Sequence, residues 1–174
     1  SVARNQSSGF GVRVLVKGTW GFAASPEISA SAVRRVTREA IAIARANAAF
    51  QRKPIELVPV DKVETRWKSA FEKDPFTVPI EAKIEFLLKL NEAAMKTQGV
   101  SFVNSAMAWV NEEKFYGSTD GSRIEQSIIR GYPDFTVTAV DRSTNDFQTR
   151  NSFGGPQCMG YEYVENFPWL KEAE

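Results

Sequence analysis

The sequence predicts an α+β fold: a mostly antiparallel sheet, formed by an N-terminal hairpin and a C-terminal meander, with two amphipathic helices packed on it. Three observations point there. Two short β-prone runs flank a Lys17-Gly18 corner near the N-terminus. Two later stretches carry apolar residues at helical spacing between recognisable end signals. From Val100 onward the apolar period becomes two, broken by turn residues. The chain has 174 residues, 43% hydrophobic and 25% charged, so a single α+β domain over 1–174 is expected.

In the first strand, 9–16, Val12, Val14 and Val16 share one face and Arg13 takes the other, the pattern of a half-buried sheet. The second, 19–23, follows the tight corner, and glycines at 9, 11 and 21 would let another backbone approach. Ser29 is a natural N-cap for a helix running to about residue 47–50, with Ile28 placed to close on Val33 as a hydrophobic staple. Val33, Val36, Ala40, Ile43 and Ala44 form its apolar stripe, while Arg34, Arg35, Arg38 and Arg45 fall mostly away from it. Residues 51–78 hold Pro54, Pro59 and Pro75 without a sustained period. They read as an extended surface connection, with 55–60 able to form a short strand and Trp67 and Phe71 as anchors.

A second helix starts at Pro79 and stops at Gly99. Ile80, Ile84, Leu87, Leu88 and Met95 are its expected buried side, with Glu85/Lys89 and Glu92/Lys96 as i,i+4 pairs facing solvent. The meander is expected as strands at 100–110, 114–118, 122–130, 134–140 and 147–152. Turns at Thr119-Asp120-Gly121, Gly131-Tyr132-Pro133 and 142–146 part them. Residues 169–174 read as the start of a further helix that stops abruptly. With no initiating Met at the other end, the chain is expected to be truncated at both ends.

Composition excludes several chemistries. Lys and Arg total 22 against 21 Asp and Glu, so the net charge of +1 gives no reason to expect nucleic acid or an anionic membrane as partner. No apolar run approaches the roughly 20 residues that cross a bilayer, and a soluble chain is expected. There is no histidine, which removes imidazole triads and histidine-ligated zinc from this chain. The single Cys158 can form neither an internal disulfide nor a cysteine zinc site, and fits a cytoplasmic location rather than an exported one.

The remaining motifs read as structural. Gly9-Phe10-Gly11 lacks a third glycine at the right spacing and lies in a strand instead of opening a helix, so it is no phosphate loop. Asp120-Gly121 is a hairpin turn without the other carboxylates of a calcium loop. Glu112/Glu113 and Asp141/Asp146 could pair as acid and base, but charged strand ends and turns explain them better. Asn5-Gln6-Ser7 matches a glycosylation acceptor of a kind common by chance. Trp20, Phe22, Phe102, Trp109, Phe115 and Phe147 are expected to fill the core rather than stack on bases, and Cys158 has no adjacent base to activate it. No catalytic, cofactor-binding or metal residue is assigned.

Taken together, three stretches resemble the TldD/PmbA family. These are Gly9-Phe10-Gly11-Val12-Arg13 through Thr19-Trp20-Gly21-Phe22-Ala23 with the Ser29-capped helix; Phe102 to Gln126, with Val110-Asn111-Glu112-Glu113-Lys114 and the Ser118-Thr119-Asp120-Gly121-Ser122 turn; and Asp146-Phe147-Gln148-Thr149-Arg150 through Gly160-Tyr161-Glu162. The resemblance implies a metal-dependent peptidase, historically labelled a modulator of DNA gyrase or peptidase U62. In that family zinc is held by a His-Glu-x-x-x-His helix and a cysteine of the C-terminal half. None of these carries over to a residue here. The chain is therefore expected to be a non-catalytic N-terminal domain that shapes access, holds peptide or supports assembly, with zinc in a C-terminal domain. Its implied partners are that domain, a homo- or heterodimer partner of the same family and a peptide substrate, with no nucleic acid and no membrane. The alternatives are a stand-alone protein-interaction module without enzymatic activity and, from the family's older label alone, contact with DNA or gyrase, which the near-neutral charge disfavours.

Overall fold

The computed structural model describes residues 1–174, which pack as two compact units, 1–60 and 61–174, each with its own hydrophobic cluster. The chain read as one domain thus divides into two compact units, and in the first Ala23, Val36 and Ala40 form a hydrophobic cluster of their own. No helix is long and apolar enough to cross a membrane.

In the first unit β1 (Phe10–Val16) and β2 (Thr19–Ser25) form the expected antiparallel hairpin. Lys17 and Gly18 both adopt positive φ, 51° and 72°, the twist-matched turn of a two-residue hairpin. Helix α1 (Ala30–Ala48) starts at Ser29, whose Oγ accepts from the Ala32 N–H at 3.1 Å. The buried row of α1 is Ala32, Val36, Ala40 and Ala44, a single i,i+4 line. Val33 and Ile43, expected in that row, stay 43% and 37% exposed, and Ile28, at 67%, makes no buried staple. A row of small residues wins because the hairpin comes very close: a Cβ on Gly21 would run into the Ala40 carbonyl and Ala44. Val36 and Ala40 then meet Ala23, with Phe10, Val12 and Val14 around them.

The second unit is organised on one long strand. β3 (Glu64–Lys68), α2 (Ile80–Met95), β4 (Val100–Gly117), β5 (Arg123–Asp141), β6 (Asp146–Asn151), α3 (Glu162–Asn166) and α4 (Trp169–Ala173) follow in order. β4 and β5 pair antiparallel along their whole lengths, from Val100↔Ala139 to Gly117↔Arg123. The other edge of β5 is shared: β3 runs parallel to its first residues, β6 antiparallel to its last, and Gln157 bridges Gly131 between them. The expected strand at 55–60 is absent, and the strand that exists, β3, lies in a charged, exposed stretch with no apolar period. Trp67 sits in it half-exposed and anchors nothing.

The expected turn at Gly131-Tyr132-Pro133 does not form, and β5 runs straight through it. Gly131 exchanges both backbone hydrogen bonds with Gln157 at 2.9 Å, so odd-numbered residues of β5 direct their N–H and C=O away from β4. Pro133 therefore lacks its N–H on the stretch of edge between Gln157 and β6, where no ladder bond is needed. Gly131 is flat because the Trp109 ring lies across it, where any Cβ would collide.

The core of this unit joins Leu90, Ala93 and Ala94 of α2, Phe135 of β5, and Tyr163, Trp169 and Ala173. Tyr163, Phe167 and Trp169 stack with centroids 4.3–5.8 Å apart. Helix α2 starts where expected but ends at Met95, about a turn before Gly99, and it rotates its buried face: Phe86, Leu90, Ala93 and Ala94 pack inward, whereas Ile80, Ile84, Leu88 and Met95 are at least 41% exposed. It is apolar on more than one side, so period alone could not choose the face. The expected Glu85–Lys89 pair forms at 2.7 Å.

Gly21→Ala is expected to destabilise the 10–48 region by about 1–3 kcal/mol through overpacking against α1. Native-state hydrogen exchange of the β1, β2 and α1 amides measures it. Unchanged protection would mean that hairpin and helix do not meet at this distance.

Candidate functional site

The acidic residues singled out from sequence do not converge. Glu112 and Glu113 point to opposite faces of the β4–β5 ribbon, Glu112 binding Lys114 at 2.9 Å and Arg130, Glu113 accepting from Ser127 Oγ at 2.8 Å. Asp141 and Asp146 face each other across the β5–β6 turn, where Asp141 accepts from the N–H and Oγ of Ser143. Asp120 accepts from the Ser122 hydroxyl at 3.1 Å, within a turn closed by Gly121 at φ 99°. Cys158 is exposed. Nor do the residues present fit the zinc that the family resemblance implies. There is no histidine, and nowhere do three His, Cys, Asp or Glu side chains come together.

What the fold offers instead is an open sheet. The expectation that the aromatic residues fill the core fails for Phe22, Phe102, Phe115 and Phe147, which are 58–69% exposed. In the register of β4, β5, β3 and β6, the face of the even-numbered β4 and β5 residues carries Trp67, Phe102, Val110, Tyr116, Tyr132 and Phe147, all at least 43% exposed. No helix covers it; α2 packs on the opposite face, against Val103, Phe135 and Val137. Exposed apolar groups in this number on one sheet face mark a surface that meets another molecule or segment.

The edge of this sheet is open as well. β4 has β5 on one side and no strand on the other. Since odd residues of β5 turn away from β4, the even residues of both strands make the ladder. The odd residues of β4, Val103 to Phe115, then direct N–H and C=O to the free edge. Seven residues in alternate positions present both a donor and an acceptor to an incoming strand.

A second concavity of about 590 Å3 lies between the start of α2 and α3, lined by Thr77, Pro79, Ala82, Phe86, Tyr161 and Val164. Its rim is the Lys73–Glu165 ion pair, and the Lys73 ammonium stands 5.2 Å from the Tyr161 ring centre. Burial first, then Glu165, pushes the Tyr161 hydroxyl up. Beneath it Glu162, only 5% exposed, accepts from the backbone N–H of Lys73 at 3.0 Å and of Gly160 at 2.7 Å. Burial raises the Glu162 carboxyl, but the backbone donors of Lys73 and Gly160 outweigh it and leave the group below its ordinary 4.5. A close approach of Gly160 to the Lys73 carbonyl completes this clasp between the 69–79 loop and α3. Sequence reasoning missed it. The one available signal was an acidic residue two positions after a glycine.

Comparison with known proteins matches residues 1–44 to a family model described as PmbA/TldA metallopeptidase domain 1, and residues 73–173 to the PmbA/TldA metallopeptidase central domain. The chain is also 28% identical over 164 residues to a metalloprotease of Methanocaldococcus jannaschii. That alignment takes in 92% of this chain and 35% of the relative, so the chain spans about a third of the relative's length.

A carboxylate held below its unfolded value contributes stability above that value and loses it as pH falls through the folded one. Glu162→Gln is therefore expected to cost about 2 kcal/mol at pH 7, and progressively less as pH drops below about 4.5. Urea unfolding of both proteins across that range measures it. A pH-independent difference would show that the Glu162 charge is not what the clasp uses.

Proposed function

Because the chain belongs to the TldD/PmbA family of metallopeptidases, we propose that it is the non-catalytic N-terminal portion of a longer zinc-dependent peptidase and that it holds extended peptide at the free edge of β4. The observation that carries this reading is the row of seven outward-directed backbone donor and acceptor pairs from Val103 to Phe115. An extended peptide paired there gains main-chain hydrogen bonds whatever its sequence, which is affinity without side-chain selection. The even face beside this edge, with Val110 and Tyr116 exposed, gives alternate side chains of the peptide an apolar surface to lie against.

The same reading places the chemistry elsewhere. With no histidine and no convergent donor set, these residues polarise no carbonyl and activate no water. Zinc, which in such a peptidase supplies both effects, belongs to polypeptide beyond this chain. The exposed even face then has two uses in the longer protein, guiding peptide toward that centre and seating the domain that holds it.

The test uses the full-length protein with an unfolded peptide. Protection from hydrogen exchange is expected at alternate β4 residues 103–115, and N-methylation of alternate peptide amides is expected to weaken binding tenfold or more. A paired substitution separates binding from folding. Asn111→Pro removes an outward N–H and is expected to lower peptide affinity with little change in stability. Glu112→Pro removes a ladder N–H and is expected to cost about 1 kcal/mol or more of stability. Exchange at β4 that is blind to peptide would sink the proposal.

A further inference from the structure

Helix α1 opens on a side-chain cap, and α2 does not. Its N-cap, Pro79, has no side-chain acceptor, and the carboxylate just upstream, Asp74, accepts from the Phe76 N–H at 2.8 Å instead. The Lys83 N–H reaches the Pro79 carbonyl at 3.4 Å, but those of Ile80, Glu81 and Ala82 meet no acceptor in the chain. They stand at the positive end of a 16-residue helix, beside the cavity of about 590 Å3 that the start of α2 forms with α3.

A second donor points to the same place. Tyr161 lines the cavity and is only 6% exposed, yet its hydroxyl reaches no partner in the chain. Tyr163, equally buried, shows the ordinary arrangement, donating its hydroxyl to the Gly155 carbonyl at 3.0 Å. Nor is the Tyr161 hydroxyl sealed in, as the unpartnered indole N–H of Trp109 beside it is; it stays open to the cavity. Burial and Glu165 hold it protonated well above neutral pH, so it donates to an anion. The Lys73 ammonium at the rim spends one N–H on Glu165 and has two more.

Donors therefore outnumber acceptors around this cavity, while Ala82, Phe86 and Val164 give it apolar walls. The matching ligand is acceptor-only at one end and apolar over the rest. A carboxylate offers about four lone-pair sites for a single negative charge. A dianion such as phosphate is disfavoured by Glu162 beneath, Glu165 on the rim and Glu81 in the first turn of α2. A cation is opposed by the helix end. The volume takes about 20 non-hydrogen atoms at the ~30 Å3 of a liquid water.

We propose that this cavity binds a carboxylate carried on an apolar body: the Tyr161 hydroxyl and the N–H groups of Ile80, Glu81 and Ala82 hold the carboxylate, and the body lies on Phe86 and Val164. Such a group is either the carboxy-terminal residue of a peptide or a free organic acid. The site is independent of strand pairing at β4, none of whose residues lines the cavity.

Calorimetric titration of the full-length protein tests it with N-acetyl-leucine, 4-methylpentanoate, N-acetyl-leucinamide, acetate and phosphate. At least one of the first two is expected to bind with a Kd of about 1 mM or tighter. The amide, without the carboxylate, and acetate, without the apolar body, should bind at least tenfold more weakly. Preference for N-acetyl-leucine identifies a peptide end; equal binding or preference for 4-methylpentanoate identifies a free acid. Hydrogen exchange at Ile80, Glu81 and Ala82 should slow when the tighter probe is added. Tyr161→Phe keeps the ring and removes a hydroxyl that the fold does not use, so it should weaken binding at least fivefold with the melting temperature unchanged. Ala82→Phe, on the exposed surface of α2, should block the cavity, and serves if Tyr161→Phe folds poorly. Binding of neither acid, amide or phosphate binding as tight as theirs, unchanged exchange at 80–82, or wild-type affinity in either folded variant would each overturn the inference, the last by placing the acid elsewhere in the longer protein.

Discussion

The larger unit depends on one constraint: β5 must satisfy two edges at once. Its 19 residues give one edge wholly to β4 and divide the other among β3, Gln157 and β6. This fixes where Pro133 can stand, which loops must return to the sheet, and which strand is left with an open side. The loop after β3 is tied down by the same strand: Ser69 donates its N–H to Ser127 and accepts from the Ile129 N–H, both at 2.9 Å. β4 is free because three segments compete for its partner's other side and none for its own.

Local chemistry was legible wherever a feature is decided by a few adjacent residues. The Lys17-Gly18 corner, the Ser29 cap, the start of α2 and the turn at 118–122 all follow from turn and cap preferences and appear as read. Features decided by a distant partner were not. β3 has no pattern of its own, since its residues are exposed on both faces and it exists only by pairing with β5. Gly131 and Pro133 are ordinary turn residues until the open stretch of edge and the Trp109 ring make them acceptable in a strand. The choice of buried face on α2 needed the position of Phe135, some 45 residues further on.

The site was legible only in outline. The missing histidine is visible at once, and the strand periodicity pointed to a sheet, which the structure has. Neither could say that the even face would be bare of helices, because the aromatic residues that a core would bury are the same ones an interface exposes. The total charge of +1 is uninformative for a comparable reason. A sum over the whole chain averaged away the contrast between the two units, which emerges only once their boundary is known.

The pairing of Trp109 with Gly131 carries a consequence for how the ribbon finds itself. Sliding β4 past β5 by two residues would keep every side chain on its proper face, so hydrophobic patterning alone does not forbid that error over a hairpin this long. The slipped forms would lay the indole on Ile129 or on Pro133, and only glycine leaves the floor on which the ring rests. A single residue without a side chain thus acts as an index mark for 17 cross-strand pairs, and the alignment of the whole ribbon is written at one position.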